Sequence, residues 1–358
     1  MEIKDKIDQL RKEGKTIYSI SRLNTVDECG YSYWLTYHEH ELSEENIYGF
    51  AGTRIHKCLE NIQNGIKIDF SKEVENIFED AKFLNLDFPT ESIGNKWKAD
   101  IRCFARDYIA PKYNKVETEK LFLYDLDGRY LQGIIDLLIY NEDGTVSIRD
   151  YKTSSKFTNS SLEEKGRQLI LYGLAMEQMG LKVKDLAWEF LKYVDISYTL
   201  KNDKIRTTTA ERGFIIEKLK TDITKELKAL KQYTDLEIEI MVDTAIEENS
   251  FEHLPPSIKD KYTIKDCVMY YDFSEENKKE TKAFIKAKVD EIERFKDEES
   301  WWEPKEINAG TSFFCQNLCG FSNKCQAFQD YMEMKTAYEE SKIEKEADNE
   351  LAKFILKN

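Results

Sequence analysis

Proline, glycine and histidine are scarce in this 358-residue chain, at 5, 15 and 4 residues. That scarcity excludes collagen-like, linker-rich and low-complexity classes. No apolar run approaches the roughly 20 residues that a membrane span needs, and residues 1–15 lack the apolar centre of a secretory signal. The chain is therefore expected in the cytoplasm, or in the host cytoplasm if a phage encodes it, with no membrane partner. Basic residues are outnumbered, 53 against 68 acidic, and the net charge of -15 ordinarily argues against a nucleic-acid partner. Seven cysteines, an odd number without an export signal, do not make a disulfide framework and read as thiols or metal ligands.

What is present is 41% hydrophobic and 12% aromatic residues, enough for a sizeable core in two or three domains or one elaborated domain. Ile3, Ile7 and Leu10 mark a first helix closed by Gly14. Gly14-Lys15-Thr16 imitates a phosphate loop, but Gln9 stands where the pattern needs glycine and a helix precedes it where a strand is required. Ser21 is a candidate N-cap, and a further helix is expected to start near Gly52-Thr53 and carry Ile55, His56, Leu59 and Ile62.

The period then changes. Asp127-Gly128 and Asp143-Gly144 separate apolar runs and predict consecutive hairpins, with strands near 119–126, 130–141 and 145–153. Ser161 and Glu164 form a candidate capping box for a helix reaching Gly180, and residues 187–194 return to strand character. Residues 201–300 read as mostly helical, with one strand in YTIKDCVMYYDF, and residues 326–358 as a charged helical tail. The fold class expected is α/β, a mixed sheet flanked by helices.

The sharpest local feature is Gly133-Ile134-Ile135-Asp136, followed after thirteen intervening residues by Asp150-Tyr151-Lys152. Carboxylates on paired strands can meet in space, and a lysine two residues after the second acid shares its face. Two carboxylates and an ammonium are the groups that hold a divalent metal and direct water at a phosphodiester. Asp136 lies inside the apolar run Leu131–Tyr140, where a charge is costly without a partner. Gln168 and Tyr172 share a helix face. Cys315, Cys319 and Cys325 lie within eleven residues and point to a metal, with zinc and iron-sulfur chemistry equally suited to thiolates. Cys58, Cys103 and Cys267 read as small apolar residues.

The ordered set YSISRLNTVDECGYSYWLTY, AGTRIHKCLE, GIIDLLIY, IRDYKTS, RQLILYG and FFCQNLCGFSNKC resembles the RecB-type branch of the PD-(D/E)XK nuclease superfamily. It is most similar to the iron-sulfur members, such as CRISPR-associated exonucleases, the nuclease module of the AddAB helicase-nuclease and stand-alone nucleases of tailed phages. The resemblance implies a restriction-endonuclease-like core and a Mg²⁺- or Mn²⁺-dependent deoxyribonuclease, an exonuclease acting on DNA ends or single strands in recombination, repair or phage DNA metabolism. It implies that His56, Asp136, Asp150 and the Tyr151 carbonyl bind the metal, with Asp136, Asp150 and Lys152 catalytic and Gln168 and Tyr172 touching DNA. Glu117 and Glu119 both qualify as a further acid from the first strand. The resemblance also implies that Cys29 joins Cys315, Cys319 and Cys325 around a 4Fe-4S cluster, with structural Zn²⁺ the alternative. Two departures stand out, three residues rather than two between the first clustered cysteines, and Gly30 rather than proline after Cys29.

On this reading residues 1–50 are an N-terminal helical segment, 51–200 the nuclease core, 201–305 a mainly helical insertion or extension, 306–328 the three-cysteine segment and 329–358 the tail. A helicase or recombinase could partner it, since the chain has no helicase motif. The rival readings are a non-catalytic DNA-binding or assembly subunit with a nuclease fold, and a zinc-stapled nucleic-acid processing factor. The acidic surplus is uneven. Residues 145–170 hold five bases and three acids, whereas residues 235–252 hold seven acids and no Lys or Arg. DNA binding is therefore expected to be weak without divalent metal and sensitive to salt.

Overall fold

The computed structural model describes residues 2–200 and 204–357, with side chains described through Ile343. In chain order the elements are α1 (Ile3–Lys12), β1 (Ile17–Tyr18), α2 (Ile20–Glu28), α3 (Gly30–Tyr37), α4 (Ile47–Gln63), α5 (Phe70–Phe83) and α6 (Glu91–Asp107). Then come β2 (Lys115–Leu126), β3 (Arg129–Tyr140), β4 (Thr145–Lys152), α7 (Leu162–Gln178), β5 (Lys182–Thr199), β6 (Ile205–Glu211), α8 (Ile215–Leu230) and α9 (Asp235–Glu247). The chain continues through α10 (Pro256–Lys259), β7 (Tyr262–Tyr271), α11 (Glu275–Phe295), α12 (Ser312–Asn317) and α13 (Gln326–Lys357). They fall into two compact units, residues 1–20 with 47–286, and residues 21–46 with 287–358.

The first unit is built on a seven-stranded mixed sheet. The Asp127-Gly128 turn works as read, since both residues have positive φ, at 54° and 81°, and the hairpin twist needs that conformation. β3 pairs antiparallel with β2 along its length, and its other edge is shared between β1 and β4. The β3–β4 ladder runs only from Tyr140–Val146 to Leu137–Arg149, so the strands part at Asp136 and Asp150. β4 and β5 are parallel, joined by the crossover helix α7.

Apolar residues of both faces explain the layers. Leu137, Ile139, Tyr151 and Leu191 pack beneath α4, α5 and α6 with Ile55, Leu59, Phe78, Trp97 and Ile101. Full burial of each such aliphatic side chain contributes roughly 1.5–3 kcal/mol. On α7, Leu169, Ile170, Leu171 and Leu174 are buried together with Gly166 and Gly173. A Cβ at Gly166 would lie 2.2 Å from the Tyr271 ring, so only glycine lets the helix come this close.

Several boundaries differ from the sequence reading. The first long strand starts at Lys115 rather than 119, and the strand read at 187–194 is the 18-residue β5. The helix carrying His56 begins at Ile47, where Phe50 and Ala51 are already buried, and not at Gly52. Ser21 lies inside α2 rather than capping it. Ser161 makes no capping bond to α7, because a 3₁₀ turn at Asn159–Ser161 precedes the helix and the Ser161 hydroxyl donates to the Thr158 carbonyl. Residues 201–305 contribute β6 and β7 to the main sheet beside their helices. The polar threonines of β6 hid it, because its outer face needs no apolar alternation.

In the second unit the N-terminal segment packs on the C-terminal one. Tyr33 stacks at a tilt on Trp302 with ring centroids 4.7 Å apart, and the Tyr31 N–H donates to the Glu303 carbonyl at 3.0 Å. Lys288 pairs with Asp27 at 2.5 Å. Asn46 donates to the Leu318 carbonyl at 3.2 Å. The charged tail forms α13 as expected, its last residue lying outside the described residues. No helix among the described residues is long and apolar enough to cross a membrane.

Candidate active site and cysteine pocket

Where β3 and β4 separate, the first unit gathers Asp136, Asp150 and Lys152 with His56 from α4 and Gln168 from α7. Asp136 Oδ2 accepts the Tyr151 N–H at 2.7 Å and lies 3.4 Å from His56 Nδ1. Burial disfavours the charged imidazole, but the hydrogen bond and charge of Asp136, then Asp150, outweigh it and raise the His56 pKa. Asp150 is 3% exposed, and burial raises its pKa against the opposing pull of Lys152. Lys152 Nζ forms an ion pair with Asp150 Oδ2 at 2.5 Å, and this buried oxygen meets no other donor. The ammonium also donates to Gln168 Oε1 at 3.1 Å, and Gln168 Nε2 donates to the Tyr172 hydroxyl at 2.8 Å.

Thus Gln168 and Tyr172 are brought to the site, but tied to Lys152. Tyr172 is 5% exposed and packs edge-on against Phe122. Gly133 makes that packing possible, since a Cβ there would lie 2.6 Å from Phe122 Cζ.

The two acids left open on the first strand part company. Glu117 is engaged by Lys120 and Tyr140. Glu119 sits at φ 48° without a ladder partner, between the Thr118–Leu137 and Lys120–Ile135 pairs. The register is unbroken on either side, so Glu119 stands opposite Asp136 on β3. Its pKa is raised by burial first, then by Asp136 and Glu60. Glu60 was not singled out from the sequence, although its place four residues after His56 puts both on one face of α4.

The donor set suits a hard divalent cation, with carboxylate oxygens, an imidazole and one buried carboxylate oxygen met only by the Lys152 ammonium. As the side chains stand, no three His, Cys, Asp or Glu groups among the described residues are close enough together to hold a metal ion. Lys152 lies against Asp150, and the Tyr151 N–H occupies one oxygen of Asp136.

In the second unit, Cys29, Cys315, Cys319 and Cys325 line one pocket with Tyr31, Phe314, Phe321 and Phe328. Burial, then the neighbouring thiols Cys29 and Cys325, raises the Cys315 pKa. Burial likewise comes first at Cys319 and Cys325, and Cys29 adds to it at both. The Lys305 N–H donates to Cys29 Sγ at 3.4 Å. All seven cysteines are free thiols, with Cys58 and Cys267 buried and Cys103 partly exposed.

The sequence profile of the PD-(D/E)XK nuclease superfamily matches residues 17–326. No curated protein matches the chain. A solved structure titled "Crystal structure of SSO0001" matches at 16% identity, covering 51% of this chain and 75% of that one, with a TM-score of 0.20.

Proposed function

The chain belongs to the PD-(D/E)XK nuclease superfamily, and from that premise we propose that it is a Mg²⁺- or Mn²⁺-dependent deoxyribonuclease of the RecB type, acting as an exonuclease on DNA ends or single strands. The observation that carries this reading is the placement of Lys152 beside the buried Asp150 where β3 and β4 part.

His56, Asp136, Asp150 and the Tyr151 carbonyl would hold the metal, with Glu119 rather than Glu117 as the supporting acid. When bound, the ion would neutralise phosphate charge and lower the pKa of a water. Lys152 provides the cation for the negative charge that develops on the phosphate oxygens. Gln168 holds the ammonium in position, and Tyr172 holds Gln168. Asp136, by accepting the Tyr151 N–H, keeps the end of β4 fixed beside β3.

Cys29, Cys315, Cys319 and Cys325 would bind a 4Fe-4S cluster, which clips the two segments of the second unit together. What supports this reading is that all four thiols line one pocket. Zinc is the rival occupant.

The test is digestion of end-labelled single- and double-stranded DNA with Mg²⁺ and with Mn²⁺. Wild type should cleave, while Asp150→Ala and Lys152→Ala should not, with folding checked by circular dichroism. Undiminished cleavage by both variants would sink the active-site assignment, and DNA binding without any cleavage would favour an assembly subunit.

A further inference from the structure

Beyond the reacting centre, the first unit carries an open pocket of about 580 Å³ lined by Lys96, Lys156, Tyr193, Thr209, Phe214 and Lys218, with Glu211 and Glu217 on its wall. We infer that this pocket is a subsite for one nucleotide of a single DNA strand, a few nucleotides along from the one being cut. The inference rests on the nuclease reading and extends it to residues outside the catalytic strands.

Position is the first argument. Lys156 follows Lys152 by four residues, so their Cα atoms lie at most about 14 Å apart. That span is the rise of roughly four stacked nucleotides. The connecting loop is held, because Trp97 Nε1 donates to the Thr153 carbonyl at 3.3 Å.

Chemistry is the second argument. Three ammonium groups face two carboxylates, so the lining keeps a small positive excess in a chain that is acidic overall. Lys156 Nζ donates to Thr209 Oγ1 at 3.0 Å, and that hydroxyl donates to Asp195 Oδ1 at 2.6 Å. The Cys267 thiol takes a second contact from Lys156, which leaves one of three ammonium donors for a phosphate oxygen. Tyr193 and Phe214 present partly exposed rings, and Lys96 Nζ stands 5.6 Å from the Phe214 ring centre. An aromatic wall flanked by lysines suits a base and its phosphate, the sequence-tolerant way of holding a single strand. Thr209, Phe214 and Lys218 come from β6, the turn after it and α8. That gives part of the 201–305 stretch a role in substrate binding.

Lys96 and Lys218 are exposed, so Lys96→Glu/Lys218→Glu should fold. Cleavage of a fluorescent single-stranded oligodeoxynucleotide is compared with cleavage of bis(p-nitrophenyl) phosphate, which is too small to span both places. The ratio of the two kcat/KM values should fall about tenfold in the double variant, and the loss should shrink as salt rises. In parallel, an oligonucleotide carrying iododeoxyuridine is photo-crosslinked to the wild-type chain and mapped by mass spectrometry. Crosslinks at Tyr193 or Phe214 are expected. A chain that cuts DNA with an unchanged ratio, or whose crosslinks map elsewhere, overturns the subsite while leaving the nuclease reading intact. Crosslinks at those rings in a chain that cuts nothing would do the reverse.

Discussion

Asp136 accepts the backbone N–H of Tyr151 at 2.7 Å, one position beyond the last β3–β4 ladder pair, Leu137–Arg149. A side chain thus takes over from the ladder where the strands separate. The separation leaves Asp150 and Lys152 side by side without β3 pressed against them.

The Lys152–Gln168–Tyr172 chain predicts graded losses. Gln168→Ala removes the acceptor for the ammonium and should lower single-turnover cleavage about tenfold. Tyr172→Phe removes only the hydroxyl behind Gln168, a change worth about 1 kcal/mol, and should cost less. Equal rates in all three proteins would show that the positioning is not used.

The two first-strand acids should behave differently. Glu119→Gln should depress cleavage and raise the Mn²⁺ concentration needed for half activity. Glu117→Gln should leave both unchanged and affect only thermal stability, because its partners are Lys120 and Tyr140. A metal titration of cleavage separates them.

Gly133→Ala should destabilise the first unit by roughly 1–3 kcal/mol, because the added Cβ meets the Phe122 ring. Phe122→Leu on that background should recover part of the loss. Urea unfolding of the single and double variants reads the coupling.

For the cysteine pocket, anaerobically purified protein should be brown, with about four iron per chain. Cys29→Ser and Cys315→Ser should each lose iron and visible absorbance and lower Tm. A colourless protein containing zinc would identify the other occupant.

Asp100 supplies a pH test away from both sites. It is 1% exposed, and burial pushes its carboxyl up to about 6, although the Gly213 N–H donates to it at 2.8 Å and pulls the other way. Because the folded-state pKa is the higher one, the native chain binds the proton more tightly than the unfolded chain between about pH 4 and 6. Stability from this group is present at low pH and is lost as pH rises through about 6. Thermal melts of wild type minus Asp100→Asn should therefore become less favourable from pH 4 to 6 and level off above.

The sequence alone determined the hairpins, because Asp127-Gly128 makes its turn in two residues and Gly144, at φ 78°, closes the four-residue loop between Tyr140 and Thr145, and it pointed to Asp136, Asp150 and Lys152 through strand period. It also singled out the four cysteines by spacing and resemblance. Only the tertiary structure separated the surroundings of Glu117, held by Lys120 and Tyr140, from those of Glu119, opposite Asp136. Likewise it alone assigned Gln168 to Lys152 and brought β6 and β7 into the main sheet. Those outcomes depend on strand register and on which helix crosses which strand. Such contacts join residues far apart in the chain, and no local pattern encodes them.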